Sequence, residues 1–205
     1  MLLNRLTNYS QKLIDDIFRQ YPYQITFPMG TKPMEHFLSG FEIEYCSLEE
    51  ILDSVLIPHF CNPFDSEGKD PSPHYLEGFW FPDESMKRVY IFVKTSSNAN
   101  RQIFTKIHEL FHFCQSLDMA FVKLLEKIIT ESTLPSDLVR RLIERSANKA
   151  TAMYLIPEEH LRKKYKETRD TRELAKFYGV SQKTLEIRLE ECGIMNSPHN
   201  PLDTL

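Results

Sequence analysis

The feature that most constrains this chain is the segment Phe104-Thr-Lys-Ile-His-Glu-Leu-Phe-His-Phe113. His108 and His112 are four residues apart, a spacing that in a helix projects both imidazoles from one face about one turn apart. Two imidazole nitrogens placed in this way can bind one Zn²⁺ at about 2.0–2.1 Å. Glu109 is displaced by about 100° around the helix, where its carboxylate can face a water on the metal.

Such a group of side chains is suited to hydrolysis. Seven histidines in 205 residues make a chance match to His-Glu-x-x-His an event of about 2%. A bound Zn²⁺ lowers the pKa of a coordinated water towards about 7, and a neighbouring carboxylate accepts the proton as the water attacks a carbonyl. The segment therefore predicts a zinc site with Glu109 as general base.

A zinc site of this kind needs a third protein ligand, and the sequence offers two carboxylates. Asp118 follows His112 by six residues, but no glycine between them lets the chain leave the helix. Glu144 lies 32 residues beyond His112 on another predicted helix, with small alanines nearby that allow close helix approach. Asn148 lies one turn further on the same face and could hydrogen-bond the free N–H of a ligand imidazole. We favour Glu144, and Asp118 stays the alternative.

The rest of the pattern predicts an α+β chain, mostly helical, with a small antiparallel-containing sheet next to the active-site helix. Apolar residues at three- and four-residue steps predict an amphipathic helix over 2–21, and alternation over Phe41–Tyr45 predicts a strand. The runs Gly78–Phe81 and Arg88–Lys94 predict a hairpin. Further helices are predicted at 49–56, 100–119, 120–131, 136–154, after Pro157 and at 171–191.

Three units are predicted along the chain. Residues 1–157 form a metallopeptidase domain, residues 158–195 a helical segment, and residues 196–205 a flexible tail. Residues 62–74, rich in proline and charge, predict a surface loop. One further hypothesis lets an extended substrate segment pair with the strand Arg88–Lys94 by edge addition.

Motifs in the second half of the chain resemble those of the ImmA/IrrE family of metallo-endopeptidases. The motifs lie within residues 88–193 and are Arg101–His112, Glu144-Arg-Ser-Ala-Asn148, Tyr154-Leu-Ile-Pro157 and Leu174–Leu189. The resemblance implies a zincin-like fold, zinc bound by His108, His112 and Glu144, and Glu109 as catalytic base. It also implies a specific substrate, a helix-turn-helix transcriptional repressor. The chain departs from the family at Phe111, where glycine is common; a large side chain there narrows the cleft or packs against a neighbouring helix.

Residues 171–191 resemble a helix-turn-helix with its turn at Gly179-Val-Ser181. The second helix carries Lys183 and Arg188, but three glutamates interrupt its basic character. Carboxylates on a recognition helix oppose the phosphate field that supplies most DNA affinity. We therefore expect this segment to be structural or to dock a protein partner, and we do not expect DNA binding.

Composition limits the class of protein. The net charge of −4 argues against a chain whose whole surface binds nucleic acid. No apolar run approaches the ~20 residues of a membrane span, and four scattered cysteines predict reduced thiols in a cytoplasmic protein. The sequence thus predicts a cytoplasmic zinc endopeptidase that cleaves a specific protein. The alternative is a non-catalytic zinc-containing regulator that binds DNA or protein through its C-terminal segment.

Overall fold

The computed structural model describes residues 2–52, 77–131 and 135–195. Helices and strands follow one another in the order α1 (Leu2–Gln20), α2 (Lys32–Phe37), β1 (Glu42–Ser47), α3 (Leu48–Leu52), β2 (Gly78–Pro82), β3 (Arg88–Val93), α4 (Ala99–Leu117), α5 (Met119–Glu131), α6 (Ser136–Leu155), α7 (Glu158–Glu167), α8 (Thr171–Tyr178) and α9 (Gln182–Glu191). This mostly helical chain with one small mixed sheet confirms the predicted α+β, zincin-like class. The predicted loop at 62–74 and tail at 196–205 lie outside the described residues.

The three strands form one sheet in the order β1-β3-β2. β2 and β3 form the predicted antiparallel hairpin, with Gly78 opposite Val93. β1 runs parallel to β3, with Glu42 opposite Arg88. Along β3, buried residues alternate with half-buried ones, which is the period-two pattern of a strand with one face on the core.

The central position of β3 corrects the hypothesis that the strand Arg88–Lys94 receives a substrate segment at its edge. Both edges of β3 are occupied, one by β2 and the other by β1. The sequence did not reveal this because β1 pairs with β3 in parallel, across an intervening stretch of about forty residues, and strand periodicity does not specify such a partner. Within the described residues, the outer edge of β2 has no strand beside it.

One hydrophobic core joins the sheet to the helices. Ile91 and Val93 of β3 are 0% and 2% exposed, and they cluster with the buried Ile107 and Leu110 of α4. Burial of side chains of this size stabilises the fold by about 1.5–3 kcal/mol each relative to exposure. The packing of β3 against α4 therefore fixes which face of α4 points away from the core. No helix in the described ranges combines the length and apolarity needed to cross a bilayer.

The C-terminal helices belong to this same core. Leu174 of α8 and Leu185 and Leu189 of α9 are at most 1% exposed and lie in the shared buried cluster. Arg188 is 5% exposed, and its Nε donates a hydrogen bond of 3.2 Å to the Ile156 carbonyl oxygen. A guanidinium held in this way is not available to a phosphate backbone. The domain boundary after residue 157 stays a prediction.

Helices α9 and α6 begin in different ways, one with a side-chain cap and the other at a proline. The Ser181 hydroxyl accepts a hydrogen bond from the Thr184 amide and so caps α9 directly after the predicted turn. At α6 the N-cap position is Pro135, and Ser136 and Asp137 lie in the first turn of the helix. Proline fixes its own φ near the value that a helix start requires, so α6 begins there without a side-chain cap.

Candidate metal centre

The two histidines of the motif lie on α4, which begins after Asn98. The Asn98 side chain accepts a hydrogen bond of 3.0 Å from the Arg101 amide nitrogen, as an N-cap residue does. Because the apolar face of α4 is buried in the core, His108 and His112 project from another face towards α6. Their Nε2 atoms lie 3.0 Å apart, and the two side chains are only 12% and 15% exposed.

Glu144 on α6 completes the group. Its Oε2 lies 3.3 Å from His108 Nε2, and its Oε1 lies 3.4 Å from His112 Nε2. Ala147 and Ala150 on the same helix are fully buried, and such small side chains allow α6 to pack closely on its neighbours. The structure thus brings together two imidazoles from α4 and one carboxylate from α6, although His112 and Glu144 are 32 residues apart in sequence.

The three donor groups are compatible with a metal ion. Ligand atoms bound at about 2.0–2.1 Å in a tetrahedron lie about 3.3 Å from one another. The measured separations of 3.0, 3.3 and 3.4 Å are close to this value. Two imidazole nitrogens and a carboxylate oxygen are also donor types that zinc accepts. The residues present therefore fit the predicted cofactor.

Contacts between the imidazoles and the carboxylate shift the pKa values of Glu144 and His112. Hydrogen bonds from His108 and His112 hold the pKa of Glu144 well below its usual range. Burial lowers the pKa of His112, but hydrogen bonding to Glu144 and the charges of Glu109 and Glu144 outweigh burial, so the net shift is upward. A proton therefore stabilises this cluster in the way that a cation does, and it competes for the same nitrogen.

Glu109 lies beside the metal ligands and not among them. It is 8% exposed, and burial raises its pKa despite the opposing effect of His108 and His112. A carboxylate with a raised pKa holds a proton more readily near neutral pH, as a general base must do during turnover. Its role as general base stays a prediction.

Sequence reasoning missed the part that Gly78 plays at the centre. A Cβ added to Gly78 would lie 2.4 Å from Thr105 Cγ2 and 3.6 Å from Glu109 Cγ. Only glycine therefore lets the start of β2 approach α4 at the turn that carries Glu109. The available signal was a glycine at the head of an aromatic strand, since glycine in a strand often marks close backbone approach.

The alternative ligand Asp118 takes another role. It lies at the C-terminal end of α4, and its Oδ1 accepts a hydrogen bond of 2.7 Å from the Ala120 amide nitrogen at the start of α5. Among the described residues, the group that could hold a metal contains His108, His112 and Glu144 without Asp118. Asn148 is exposed and lines a cavity that also contains Glu144; its hydrogen bond to an imidazole stays a prediction.

Three residues near the metal-binding group make contacts that stabilise the fold. Phe111 is fully buried, and its ring meets Tyr154 of α6 edge to face at 6.0 Å between centroids, so it packs against a neighbouring helix. The Tyr154 hydroxyl donates a hydrogen bond of 2.9 Å to the Gly30 carbonyl oxygen, which places it in the core. Arg101 Nε donates to Glu77 Oε2 at 3.3 Å, just before β2, so it contacts the strand region.

Comparison with known proteins shows a similar fold in a solved structure. No curated protein shows significant similarity to it. Among solved structures, a Mycobacterium tuberculosis transcriptional regulator superposes with a TM-score of 0.56 at 13% sequence identity. The match covers 93% of this chain and 52% of that chain, so this chain spans about half the length of the regulator. At this identity the likeness concerns the fold alone.

The sequence itself matches the model of the Peptidase_M78 family, described as the IrrE N-terminal-like domain, over residues 68–190. This range covers more than half of the chain and includes both α4 and α6. It contains the whole metal-binding group and Glu109. The chain therefore belongs to the Peptidase_M78 family of IrrE N-terminal-like, metallopeptidase-type domains, as its resemblance to ImmA/IrrE proteins predicts.

Proposed function

We propose that the chain is a zinc-dependent endopeptidase that cleaves a specific cytoplasmic protein, a helix-turn-helix transcriptional repressor. Family membership supports hydrolysis of a protein substrate. The repressor comes from the resemblance described above, and the cytoplasmic location from the scattered cysteines, which predict reduced thiols. The helix-turn-helix-like segment, α8–α9, is proposed to support the fold or to dock a partner, because Arg188 is buried in it.

The observation that carries this proposal is the number of protein ligands. Structural zinc sites are closed by four protein ligands, whereas catalytic sites use three and leave one position open. His108, His112 and Glu144 form a three-member group in the described part of the chain. Glu144 is half exposed, so the group opens to solvent on the side of α6, where a substrate can enter.

The chemistry divides between the metal and Glu109. Zinc bound here would lower the pKa of a coordinated water and polarise the scissile carbonyl. The Glu109 carboxylate accepts the proton that the attacking water loses and delivers it to the leaving amine nitrogen. Its burial raises its pKa, which brings proton uptake and release closer to neutral pH. The Glu109 side chain is also shielded from bulk water, so the proton is retained for the leaving group.

The outer edge of β2 supplies a place for the substrate backbone. The Lys94 amide donates to the Glu77 oxygen at one end of the hairpin, and the Asp83 amide donates to the Arg88 oxygen at the other. Hydrogen-bonded pairs alternate along antiparallel strands, so the intervening even-numbered residues direct their polar backbone groups outward. Gly78 therefore offers an N–H and a C=O to a substrate strand.

Trp80 offers a second such pair, two residues further along β2, and Pro82 ends the series because it has no N–H. An extended peptide that pairs with Gly78 and Trp80 passes directly beside Glu109, because Gly78 lies against that part of α4. Edge addition of this kind provides affinity through backbone hydrogen bonds and leaves side-chain selectivity to other surfaces.

The test compares the unchanged chain with a Glu109→Gln variant. We expect both proteins to bind zinc equally, because Glu109 is not a ligand, and we expect cleavage of the helix-turn-helix protein encoded beside this gene to fall by about 10²–10⁴-fold. Glu159→Gln is a matched control, because Glu159 is an exposed glutamate on α7. Zinc per chain is measured by elemental analysis and cleavage by mass spectrometry.

The alternative function predicts a different outcome. A non-catalytic zinc-containing regulator would bind zinc and would bind its protein or DNA partner, but would leave the partner intact in the presence of zinc. Equal cleavage by the unchanged chain and by Glu109→Gln would also contradict the proposed role of Glu109. A Glu144→Ala variant should lose both zinc and activity, because it removes a ligand.

A further inference from the structure

A surface groove rich in arginine adjoins the metal centre. This arginine groove has a volume of about 440 Å³ and is lined by Asp137, Arg140, Arg141, Glu144, Arg145 and Asn148. All six residues lie on α6 and all six are exposed. Because Glu144 belongs both to the groove and to the metal-binding group, a ligand in the groove lies next to the scissile position of a bound substrate.

The positive charge of the groove is not neutralised within the described residues. Arg141 faces Asp137 at 3.8 Å, and both of these side chains are more than two thirds exposed. The Glu144 carboxylate contacts the imidazoles of His108 and His112. Arg140 and Arg145 have no carboxylate partner in the part of the chain that the structure describes. A chain with a net charge of −4 thus concentrates free positive charge beside its candidate active site.

The spacing on α6 fits contact with residues close to a cleavage point. Arg140 precedes Glu144 by one helical turn, about 6 Å along the axis, and Arg145 follows it directly. An extended peptide advances about 3.3 Å per residue, so this distance corresponds to roughly two substrate residues. Guanidinium groups bind carboxylates through paired N–H donors. Salt bridges between exposed groups are individually weak, so a preference requires more than one arginine.

We propose that Arg140 and Arg145 make this chain selective for substrates with acidic side chains within a few residues of the scissile bond. The proposal rests on the endopeptidase function above and names the chemistry of the segment that it accepts. The occupant of the groove is an acidic peptide segment and not a nucleic acid, because the proposed function on which this inference rests acts on a polypeptide.

Binding tests the proposal separately from catalysis. The zinc-loaded Glu109→Gln chain is titrated into two pools of fluorescein-labelled dodecapeptides, degenerate in uncharged residues, with three fixed glutamates in one pool and three fixed glutamines in the other. Fluorescence anisotropy at 50 mM salt should show about tenfold tighter binding of the glutamate pool. The preference should shrink at 300 mM salt, because the charges are exposed.

Variants assign the preference to the groove. Arg140→Gln/Arg145→Gln in the same background should bind the two pools within about twofold of each other, with zinc content and melting temperature unchanged. Arg172→Gln, which removes an exposed arginine from α8, should keep the full preference. Equal affinity for the two pools, no binding of either at 100 µM, or tighter binding of a twelve-nucleotide oligothymidylate would each overturn the proposal. Failure of the unchanged chain to cleave protein bears on the endopeptidase function alone.

Discussion

Replacing Gly78 with alanine is expected to separate β2 from α4 without touching a metal ligand. The new Cβ would lie 2.4 Å from Thr105 Cγ2 and 2.7 Å from the Phe92 carbonyl oxygen. Ordinary contacts between heavy atoms are about 3.5–4.0 Å, so the two elements must move apart by about 1 Å. The Phe92 oxygen belongs to the backbone of the adjacent strand, and no rotamer change moves it away.

The size of the effect follows from this displacement. Overpacking of a well-packed site costs about 1–3 kcal/mol, which for a chain of this length lowers the melting temperature by roughly 2–12 °C. Glu109 Cγ would lie 3.6 Å from the same Cβ, so the base and the edge strand change their relative position. A misplacement of about 1 Å costs about 10²-fold in rate, and we expect cleavage to fall by that factor.

The assay combines three measurements on Gly78→Ala: thermal unfolding, zinc per chain and the rate of repressor cleavage. Gly40→Ala is the matched control, because nothing lies within 4 Å of a Cβ at Gly40. Zinc content should stay the same in both variants, since the three atoms nearest to the new methyl group belong to Thr105, Phe92 and Glu109 and not to a metal-ligand candidate. If Gly78→Ala equals Gly40→Ala in melting temperature and in cleavage, the close approach of β2 to α4 is not what positions Glu109, and the reasoning fails.

Two further predictions concern the metal and the C-terminal helices. Zinc affinity should fall as the pH drops, because the pKa of His112 is raised and its proton competes with the metal. The loss should begin above about pH 6.5, the ordinary histidine value. A chelator-competition titration that is flat between pH 8 and 6 would contradict this. Replacing Arg188 with methionine should lower the free energy of unfolding by about 1.5–3 kcal/mol, since the Ile156 carbonyl loses a charged donor. Lys183→Met, on the exposed side of the same helix, should change urea unfolding far less, and equal effects of the two substitutions would argue against a structural role for Arg188.

Much of the candidate site could be predicted from the sequence, because its main geometry is local. The four-residue spacing of His108 and His112 places both imidazoles on one helix face whatever surrounds the helix. Glu109 then follows at a fixed angle. Caps and breaks such as Asn98 and Ser181 are equally local, so α4 and α9 begin where the side chains predict. Helix α6 instead begins after Pro135 without a side-chain cap.

Features that depend on long-range contact could not be decided in this way. The sequence left Asp118 and Glu144 as competing ligands, and the packing of α6 on α4 brings Glu144 within 3.4 Å of both imidazoles. The parallel pairing of β1 moved the strand Arg88–Lys94 to the centre of the sheet, since strand periodicity specifies a face but not a neighbour.

What the sequence by itself determined is therefore the metallopeptidase-type motif: a helix with two imidazoles and a carboxylate at fixed spacing. Tertiary structure decided the third metal-binding candidate, the strand order of the sheet within the described residues and the environment of the base. Gly78 shows the reason most directly. Its lack of a side chain has meaning only because Thr105 and Glu109, distant in sequence, lie against it in the folded chain. Local covalent spacing fixes directions along one helix, whereas distances between elements arise from the packing of the whole core.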